Sequence, residues 1–321
     1  MKLGDRVKVE AKLRRTWSTS SGNRERNDEM KPMLASNAEI SKLKYPVIIQ
    51  PKIDGVRALN ISGRLCGRSL KSFANRHTTE VFSRPEFAGL DGEMIAGEDP
   101  TADGLCRATT SALNSILGEP EVTWWIFDSH GPMNYQMRYA DAVLRVGRLS
   151  DPRIRIVPQK LAWCREDILE AEEQFTSEGY EGLIIRDPQG SYKEGRSTVK
   201  EGGLLRIKRW EDSEMIVDRV EEGRHNANVA TTNALGHTER STHQENMIPN
   251  GQVGRLIGRD LKTGQEVTIS PGKLTKAERI FYFEQQQEIL GRIAKYKFFP
   301  TGGKDKPRMP TWQGWRMRED L

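Results

Sequence analysis

A short apolar strand that ends in a dense group of charges is the most constraining feature of this 321-residue sequence. The apolar run at residues 47–49 is followed at residues 50–57 by QPKIDGVR. Pro51 fixes its own φ angle, pushes Gln50 towards extended geometry and cannot donate to a β-ladder, so the strand ends or is unpaired there. The pattern therefore places Lys52 at the end of a β-strand.

Lys52 is a candidate nucleophile. A lysine is a poor nucleophile at its usual pKa, but partial desolvation or a neighbouring cation lowers that pKa and frees the amine lone pair. Arg57 is such a cation, five residues further along the chain. Taken alone, the same residues are also typical of a strand followed by a glycine turn with surface charges.

Two further segments place carboxylates at apolar strands. Asp91 and Glu93 are two residues apart, so an extended strand points both side chains to one face, where Glu93 is a candidate for ribose or metal contact. Glu181 leads the apolar run at residues 183–185, and burying its carboxylate is costly unless a cation binds it. A divalent metal ion would supply that cation.

Two basic segments and one aromatic run complete the candidate residues. Arg206 and Lys208 share one face of a predicted strand, and such a pair of cations can neutralise a triphosphate. Arg68 opens the polar segment RSLKSFAN. An apolar strand is predicted at residues 124–128, and most of its aromatic side chains are explained as core residues.

In this order the motifs resemble those of the covalent nucleotidyltransferases, the superfamily of ATP-dependent DNA ligases, RNA ligases and mRNA capping enzymes. The chain looks most like a small ATP-dependent DNA ligase of the viral or phage type. The resemblance is sharp between Lys52 and Lys208 and loose towards the C-terminus. The family usually has lysine where this chain has Arg206, which would make a bidentate, permanently charged contact.

The resemblance implies an α+β fold in two domains, which also suits the chain length. Residues 1–29 are predicted to be a polar extension, and residues 30–210 a nucleotidyltransferase domain with antiparallel sheets and flanking helices. Residues 211–321 are predicted to form an OB-fold β-barrel, in agreement with short β-rich runs between Gly and Asp turns. The polar insertion at residues 222–250 has no counterpart in the family pattern.

The resemblance also implies a three-step reaction. Lys52 attacks the α-phosphate of ATP, AMP passes to the 5′-phosphate of a nick, and the 3′-hydroxyl displaces AMP. ATP is favoured because the chain lacks the length and Cys-rich zinc module of the NAD-dependent ligases. The implied residues are Lys52, Arg57, Arg206 and Lys208 for catalysis, Gln50, Lys52, Arg57, Arg68, Glu93, Phe127, Arg206, Lys208 and Arg316 for ATP, and Glu93 and Glu181 for Mg²⁺.

Arg316 enters through a weaker C-terminal match. Residues 310–320 resemble the motif that the OB-fold of short ligases swings onto the triphosphate. In that case Arg316 would meet the leaving pyrophosphate and Asp320 would help to orient it.

Composition constrains the partner and the compartment. Fifty Lys and Arg against 45 Asp and Glu give a formal net charge of +5, which leans towards an anionic partner. Three widely spaced cysteines and the lack of a membrane-spanning apolar run predict a reduced, soluble, cytoplasmic protein without a membrane partner. The expected partner is nicked double-stranded DNA, bound by a monomer.

Three alternatives share part of this pattern. An mRNA capping guanylyltransferase has the same Lys-x-Asp-Gly-x-Arg arrangement, but the segments at residues 68–75 and 181–186 are more similar to DNA ligases. An RNA ligase is less favoured because Arg57 follows the DNA-ligase pattern. A non-catalytic nucleic-acid-binding module would explain the basic, aromatic tail from residue 295, but not the intact Lys52, Glu93 and Glu181.

Overall fold

The computed structural model describes residues 30–299 and 307–317, so the predicted N-terminal extension and Asp320 lie outside the described residues. The first twelve strands are β1 Met33–Leu34, β2 Ser36–Asn37, β3 Val47–Pro51, β4 Val56–Ile61, β5 Arg64–Gly67, β6 Leu90–Ala96, β7 Val122–Ser129, β8 Ile154–Ile156, β9 Lys160–Ala162, β10 Leu183–Arg186, β11 Gly195–Arg196 and β12 Leu205–Ile207. The helices among them are α1 Arg76–Phe82, α2 Leu105–Asn114, α3 Tyr135–Leu149 and α4 Arg165–Ser177. The predicted α+β class is confirmed.

The first five-stranded sheet has the strand order β2-β12-β10-β3-β9. All its ladders are antiparallel except β12 with β2. Val47 and Ile49 are buried in a core with residues of α4, so strand periodicity turns Gln50 to the opposite face. That opposite face also receives Ile184 and Arg206, which lie in register with Gln50 across β10 and β12.

The second five-stranded sheet has the order β5-β4-β6-β7-β8. Its core contains Trp124, whose ring packs edge-on against Phe82 and Phe87 with centroids 5.9 and 6.4 Å apart. Alternation along β7 then directs Phe127 to the other face of the sheet from Trp124. The predicted strand at residues 124–128 is confirmed. Trp124 lies in this core, whereas Phe127 lies on the other face of the sheet, where a ligand could contact it.

Apolar residues recur at roughly helical spacing between residues 135 and 149, which predicts a helix, and α3 spans these residues. Asn134 caps α3 by accepting a hydrogen bond from the Met137 N–H. Because of their Gly and Pro residues and the lack of a clear period, residues 97–121 are predicted from the sequence to be a loop with at most a short helix near 111–117. This prediction is wrong, because α2 occupies residues 105–114. The buried positions of α2 are Leu105, Thr109 and Leu113, so a polar residue interrupts the apolar pattern of the helix. The Thr109 hydroxyl donates to the Leu105 carbonyl. No helix of the described ranges has both the length and the apolarity needed to cross a bilayer.

The C-terminal part forms a third five-stranded sheet, in the order β17-β16-β13-β18-β19. Its elements are β13 Glu211–Asn226, β14 Ala230–Thr232, β15 Thr238–Arg240, β16 Met247–Asp260, β17 Glu266–Ile269, α5 Lys276–Glu284, β18 Ile293–Phe299 and β19 Arg308–Arg316. One isolated bridge, Ser270 with Thr311, links the two ends of this sheet. The β-rich character that the sequence predicts for this part of the chain is confirmed, whereas closure of the sheet into an OB-fold barrel stays a prediction.

The polar insertion at residues 222–250 is an ordered extension of this sheet. Strands β13 and β16 continue their ladder as far as Asn226 with Met247, and β14 and β15 form a separate hairpin beyond it. The buried side chain of Asn228 donates to the carbonyls of Ser241 and His243 and so ties the hairpin base together. Hydrogen bonds therefore replace the missing apolar core of this segment.

Candidate active site

A cavity of about 670 Å³ is lined by residues from both sheets of the N-terminal part. Its walls bring together the predicted residues Gln50, Lys52, Arg57, Arg68, Glu93, Phe127 and Arg206. Glu181 and Lys208 adjoin this group through Lys52. Arg316 is not among the lining residues; it lies 4.0 Å from Glu214 on the C-terminal sheet.

Lys52 is fixed at the end of β3 by its backbone. Its N–H donates to the Gly182 carbonyl at 2.9 Å, and its carbonyl accepts from the Glu181 N–H at 3.0 Å. The Lys52 ammonium contacts one carboxylate oxygen of Glu181, and the Lys208 ammonium contacts the other. The cation that the sequence requires beside Glu181 is thus supplied by two lysines.

Burial lowers the pKa of Lys52 from its ordinary value of 10.5. The carboxylates of Glu93 and Asp54 oppose this shift, whereas the guanidinium groups of Arg206 and Arg308 add to it. A lowered pKa increases the neutral fraction of the amine, which is the nucleophilic form. The site therefore favours a reactive Lys52.

Two glycines allow the motif segments to approach each other. A Cβ on Gly55 would lie 2.2 Å from the Met94 carbonyl oxygen, and one on Gly182 would lie 2.2 Å from the Ile207 carbonyl oxygen. Gly182 also has a φ of 142°, which L-residues rarely adopt. A larger residue at Gly182 would push apart β10 and β12, and one at Gly55 would push the segment after Lys52 away from β6.

Arg57 is bound by a carboxylate rather than free beside the nucleophile. Its guanidinium makes two hydrogen bonds of 2.5 Å to Asp91 and lies 4.7 Å from the Phe127 ring centroid. The Tyr192 hydroxyl donates to the same Asp91 carboxylate at 2.9 Å and accepts from the Met33 N–H at 3.2 Å. This network orients the guanidinium, and Asp91 neutralises the charge that the sequence assigned to activation of Lys52.

Glu93 faces the cavity from β6, one strand away from Arg57. Burial raises the pKa of Glu93 to about 7, although Lys52 and Arg57 act to lower it. The charges of Asp91 and Glu93 both raise the pKa of Arg57, which is consistent with the prediction that the two carboxylates share one face of the strand. Glu93 is therefore a buried carboxyl group that a further cation would stabilise in its charged form.

Three arginines form a cluster on the cavity wall, here called the arginine cluster: Arg68, Arg196 and Arg206. Burial, followed by the charges of Arg196 and Arg68, lowers the pKa of Arg206. Arg206 donates to Asn37 at 3.0 Å, Arg196 donates to the Ala35 carbonyl at 2.7 Å, and no carboxylate of the described ranges pairs with any of the three. Uncompensated positive charge of this kind suits a phosphate.

Three residues of the site are missing from the sequence-based set. Arg196 and Tyr192 belong to residues 191–197, whose sequence on its own indicates no more than a basic loop with an aromatic residue. Arg308, from β19, donates to Asp54 at 2.5 Å and to the Cys106 thiol sulfur at 3.5 Å. Its position in the C-terminal tail of basic and aromatic residues was the sequence signal for it.

Neither a protein-family model nor a curated protein matches this chain. Among solved structures, a Lig E DNA ligase matches with a TM-score of 0.66 and 20% identity, over 89% of this chain and 99% of that one. The Chlorella virus DNA ligase-adenylate matches with a TM-score of 0.49 and 25% identity, over 91% of this chain and 99% of that one. The bacteriophage T7 ATP-dependent DNA ligase in complex with ATP matches with a TM-score of 0.48 and 14% identity, over 90% of this chain and 100% of that one. The Lig E match shows a shared fold, and the predicted resemblance is confirmed at that level.

Proposed function

We propose that this chain is an ATP-dependent DNA ligase that seals 5′-phosphate/3′-hydroxyl nicks in duplex DNA through a lysyl-AMP intermediate and a DNA-adenylate. One observation carries the proposal: Lys52, with its pKa lowered by burial, lies on the wall of a cavity that also holds Phe127 and the arginine cluster. An amine nucleophile, an aromatic ring and three cations are the groups that a nucleotidyl transfer to lysine requires.

In the first step the Lys52 nitrogen forms a bond to the α-phosphorus of ATP, and the bond from that phosphorus to pyrophosphate breaks. The amine gives up a proton as the phosphoramidate forms. Lys208 and Arg308 both lie beside Glu181, the carboxylate that contacts Lys52, and we assign these two cations to the triphosphate. Fixed charges of this kind stabilise the transferred phosphoryl group.

In the next two steps AMP passes from Lys52 to the 5′-phosphate of the nick, and the 3′-hydroxyl then attacks that phosphate and releases AMP. The arginine cluster is the group that we assign to the 5′-phosphate, because its three guanidinium groups lack a carboxylate partner in the described ranges. Planar guanidinium groups bind phosphate oxygens bidentately, which orients the phosphate as well as neutralising it.

The donor set around Lys52 fits a magnesium ion. Mg²⁺ is usually held by one or two carboxylates together with water and substrate phosphates. The described residues contain no group of three or more His, Cys, Asp or Glu side chains that could hold a metal, so an ion held here would need water and the nucleotide as further ligands. Glu93 and Glu181 would hold the ion, and the bound ion would supply positive charge to the phosphates.

The C-terminal sheet supports an OB-fold assignment for residues 211–321, next to a nucleotidyltransferase domain at residues 30–210. The bridge between Ser270 and Thr311 brings β17 and β19 together, as closure of a small barrel requires. We assign nicked duplex DNA as the partner and a monomer as the active form. The positive net charge of the sequence agrees with a DNA partner.

The test is incubation of the full chain with α-³²P-labelled ATP and Mg²⁺, followed by denaturing electrophoresis and, separately, by addition of a nicked duplex. We expect label on the protein, its transfer to the 5′ end of the nick, and a sealed strand. Absence of label on the protein, with Lys52→Ala as the matched blank, would overturn the proposal. A label that never reaches DNA would show a nucleotidyltransferase with another acceptor.

A further inference from the structure

A stack of two cations and two aromatic rings joins the segment between β12 and β13 to β18. Its members, in order, are Lys208, Phe299, Trp210 and Lys297. The Lys208 ammonium lies 3.4 Å from the centroid of the Phe299 ring, and the centroids of the Phe299 and Trp210 rings are also 3.4 Å apart. The Lys297 ammonium lies 4.3 Å from the Trp210 centroid. The C-terminal sheet thus places an aromatic ring on a lysine of the candidate active site.

The register of the C-terminal sheet explains this stack. The antiparallel ladder of β13 with β18 pairs Glu211 with Phe298, so one further step along both strands sets Trp210 opposite Phe299. Lys208 precedes Trp210 by two residues, the spacing at which side chains of an extended chain share one face. The contact of Phe299 with Lys208 is therefore built into the way in which β18 pairs with the start of β13.

The two faces of the Phe299 ring hold different neighbours. The Trp210 indole is tilted by 27° from the Phe299 ring and covers one face of it. An indole at this distance leaves no space for an ammonium on the same face, so Lys208 lies against the other face. Phe299 is 7% exposed, and the exclusion of water strengthens the attraction between a cation and an aromatic face.

Lys208 is therefore held from two directions. Its ammonium contacts the carboxylate of Glu181, which also contacts Lys52, and it lies on the Phe299 ring. A lysine ammonium is a compact charge with three donors on a flexible stem, so one ion pair fixes its position poorly. The ring attracts the charge without offering an acceptor oxygen. It therefore does not compete with a phosphate for the Lys208 donors, as a second carboxylate would.

Resting on the proposed function, we propose that Phe299 is a positioning residue for Lys208, and that its ring fixes the Lys208 ammonium where it meets the triphosphate during transfer of the nucleotide to Lys52. Phe299 lies outside the lining of the nucleotide cavity, so it acts through Lys208 and not through contact with ATP. The charge that Lys208 offsets is largest in the transition state. Loss of the ring should therefore lower the maximal rate of labelling more than it weakens ATP binding.

The experiment measures single-turnover self-labelling of the full chain over a range of concentrations of α-³²P-labelled ATP. Phe299→Leu keeps an apolar side chain but removes the ring face, and we expect its maximal rate to fall about threefold to thirtyfold. The ATP concentration that gives half the maximal rate should change by less than about twofold. Phe299→Tyr keeps the ring face and should label within about twofold of the wild-type rate.

Phe298→Leu is the matched control, because it makes the same change one position earlier in β18. Phe298 packs against the core of the C-terminal sheet, with its ring centroid 5.7 Å from that of Tyr296. This variant should lower the melting temperature and leave the maximal rate within about twofold of wild type, since it keeps the ring on Lys208. Trp210→Leu removes the indole behind the Phe299 ring. Trp210 is 39% exposed, so we expect a folded variant whose rate falls about threefold to tenfold.

The outcomes separate this inference from the proposed function. A wild-type rate in Phe299→Leu, or equal losses of rate in Phe299→Leu and Phe298→Leu, would overturn the positioning role while the ligase proposal stands. The same holds if Phe299→Tyr loses as much rate as Phe299→Leu. If thermal melting shows that Phe299→Leu does not fold, Trp210→Leu decides, and a wild-type rate in that variant overturns the inference. If ATP does not label the wild-type chain, it is the proposed function that fails.

Discussion

Arg308 of β19 donates a hydrogen bond to Asp54, a residue 254 positions earlier in the chain and two residues beyond Lys52. The same guanidinium lies 3.7 Å from Glu181, the carboxylate that contacts both Lys52 and Lys208. Arg308 of the last described strand thus places a positive charge near Lys52, and this charge helps to lower the pKa of Lys52. The C-terminal sheet is therefore part of the candidate active site and not only a neighbour of it.

Arg308→Ala should slow self-adenylylation of Lys52 by about tenfold to a hundredfold, since a hydrogen bond to a charged group contributes about 1.5–3 kcal/mol. Arg316→Ala should have a smaller effect, because Arg316 lies beside Glu214 and outside the cavity lining. Single-turnover labelling with saturating ATP measures both variants. Equal losses of labelling rate in the two variants would support the role that the sequence predicts for Arg316, contact with the leaving pyrophosphate.

The strand ends that carry the chemistry could be predicted from the sequence, because they depend on local patterns. An apolar run that stops at Pro51 places Lys52 at the end of β3, and the alternation after Glu181 predicts β10. Both predictions depend on residues that are neighbours in the chain. The same holds for α3, whose helical period is a local pattern.

The partners of these residues could not be predicted, because they come from distant segments. Glu181 requires a cation, but the local pattern does not distinguish a metal ion from Lys52 and Lys208, which the sheet register brings to it. Arg57 looks like an activating cation until Asp91 is found bound to it. The contact of Arg308 with Asp54 depends on how the C-terminal sheet packs, which no periodicity reports.

Lys52→Ala and Lys52→Arg should both abolish self-adenylylation. Arginine keeps the positive charge, but the very high pKa of its guanidinium group leaves essentially no neutral nucleophile. The measurement is protein-bound label from α-³²P-labelled ATP, with melting temperature as the control for folding. Wild-type labelling of either variant would remove Lys52 from the mechanism.

The rate of self-adenylylation should rise with pH as Lys52 loses its proton, and should level off below the ordinary lysine pKa of 10.5, because burial lowers the pKa of this residue. The Glu93 carboxylate acts to raise that pKa. Glu93→Gln removes the negative charge, stabilises the neutral amine and should move the midpoint of the profile to lower pH. The test is to measure single-turnover rates at constant ionic strength between about pH 6 and about pH 10, a range that includes the ordinary lysine value and lower values.

In this pH experiment only the midpoint is diagnostic. A lower maximal rate in Glu93→Gln is expected in any case if Glu93 also helps to hold Mg²⁺. A midpoint that moves to higher pH, or does not move, would contradict the electrostatic coupling of Glu93 to Lys52.

Tyr192→Phe tests whether Asp91 must be held in place for Arg57 to act. The change removes the hydroxyl that donates to Asp91 and accepts from the Met33 N–H, so we expect a loss of about 1–3 kcal/mol in the free energy of unfolding together with slower self-adenylylation. Tyr139→Phe is the matched control, because its hydroxyl donates to the Val157 carbonyl at 2.8 Å and does not touch the Arg57 network.

The two tyrosine variants should be compared by urea denaturation and by single-turnover labelling. We expect both to lose stability through a missing hydrogen bond, and only Tyr192→Phe to lose labelling rate, because Asp91 then holds the Arg57 guanidinium less firmly. Such a split would show that Tyr192 positions Arg57 through Asp91, since loss of stability alone affects both variants. Equal labelling rates in the two variants would mean that the two hydrogen bonds between Arg57 and Asp91 are sufficient without the hydroxyl.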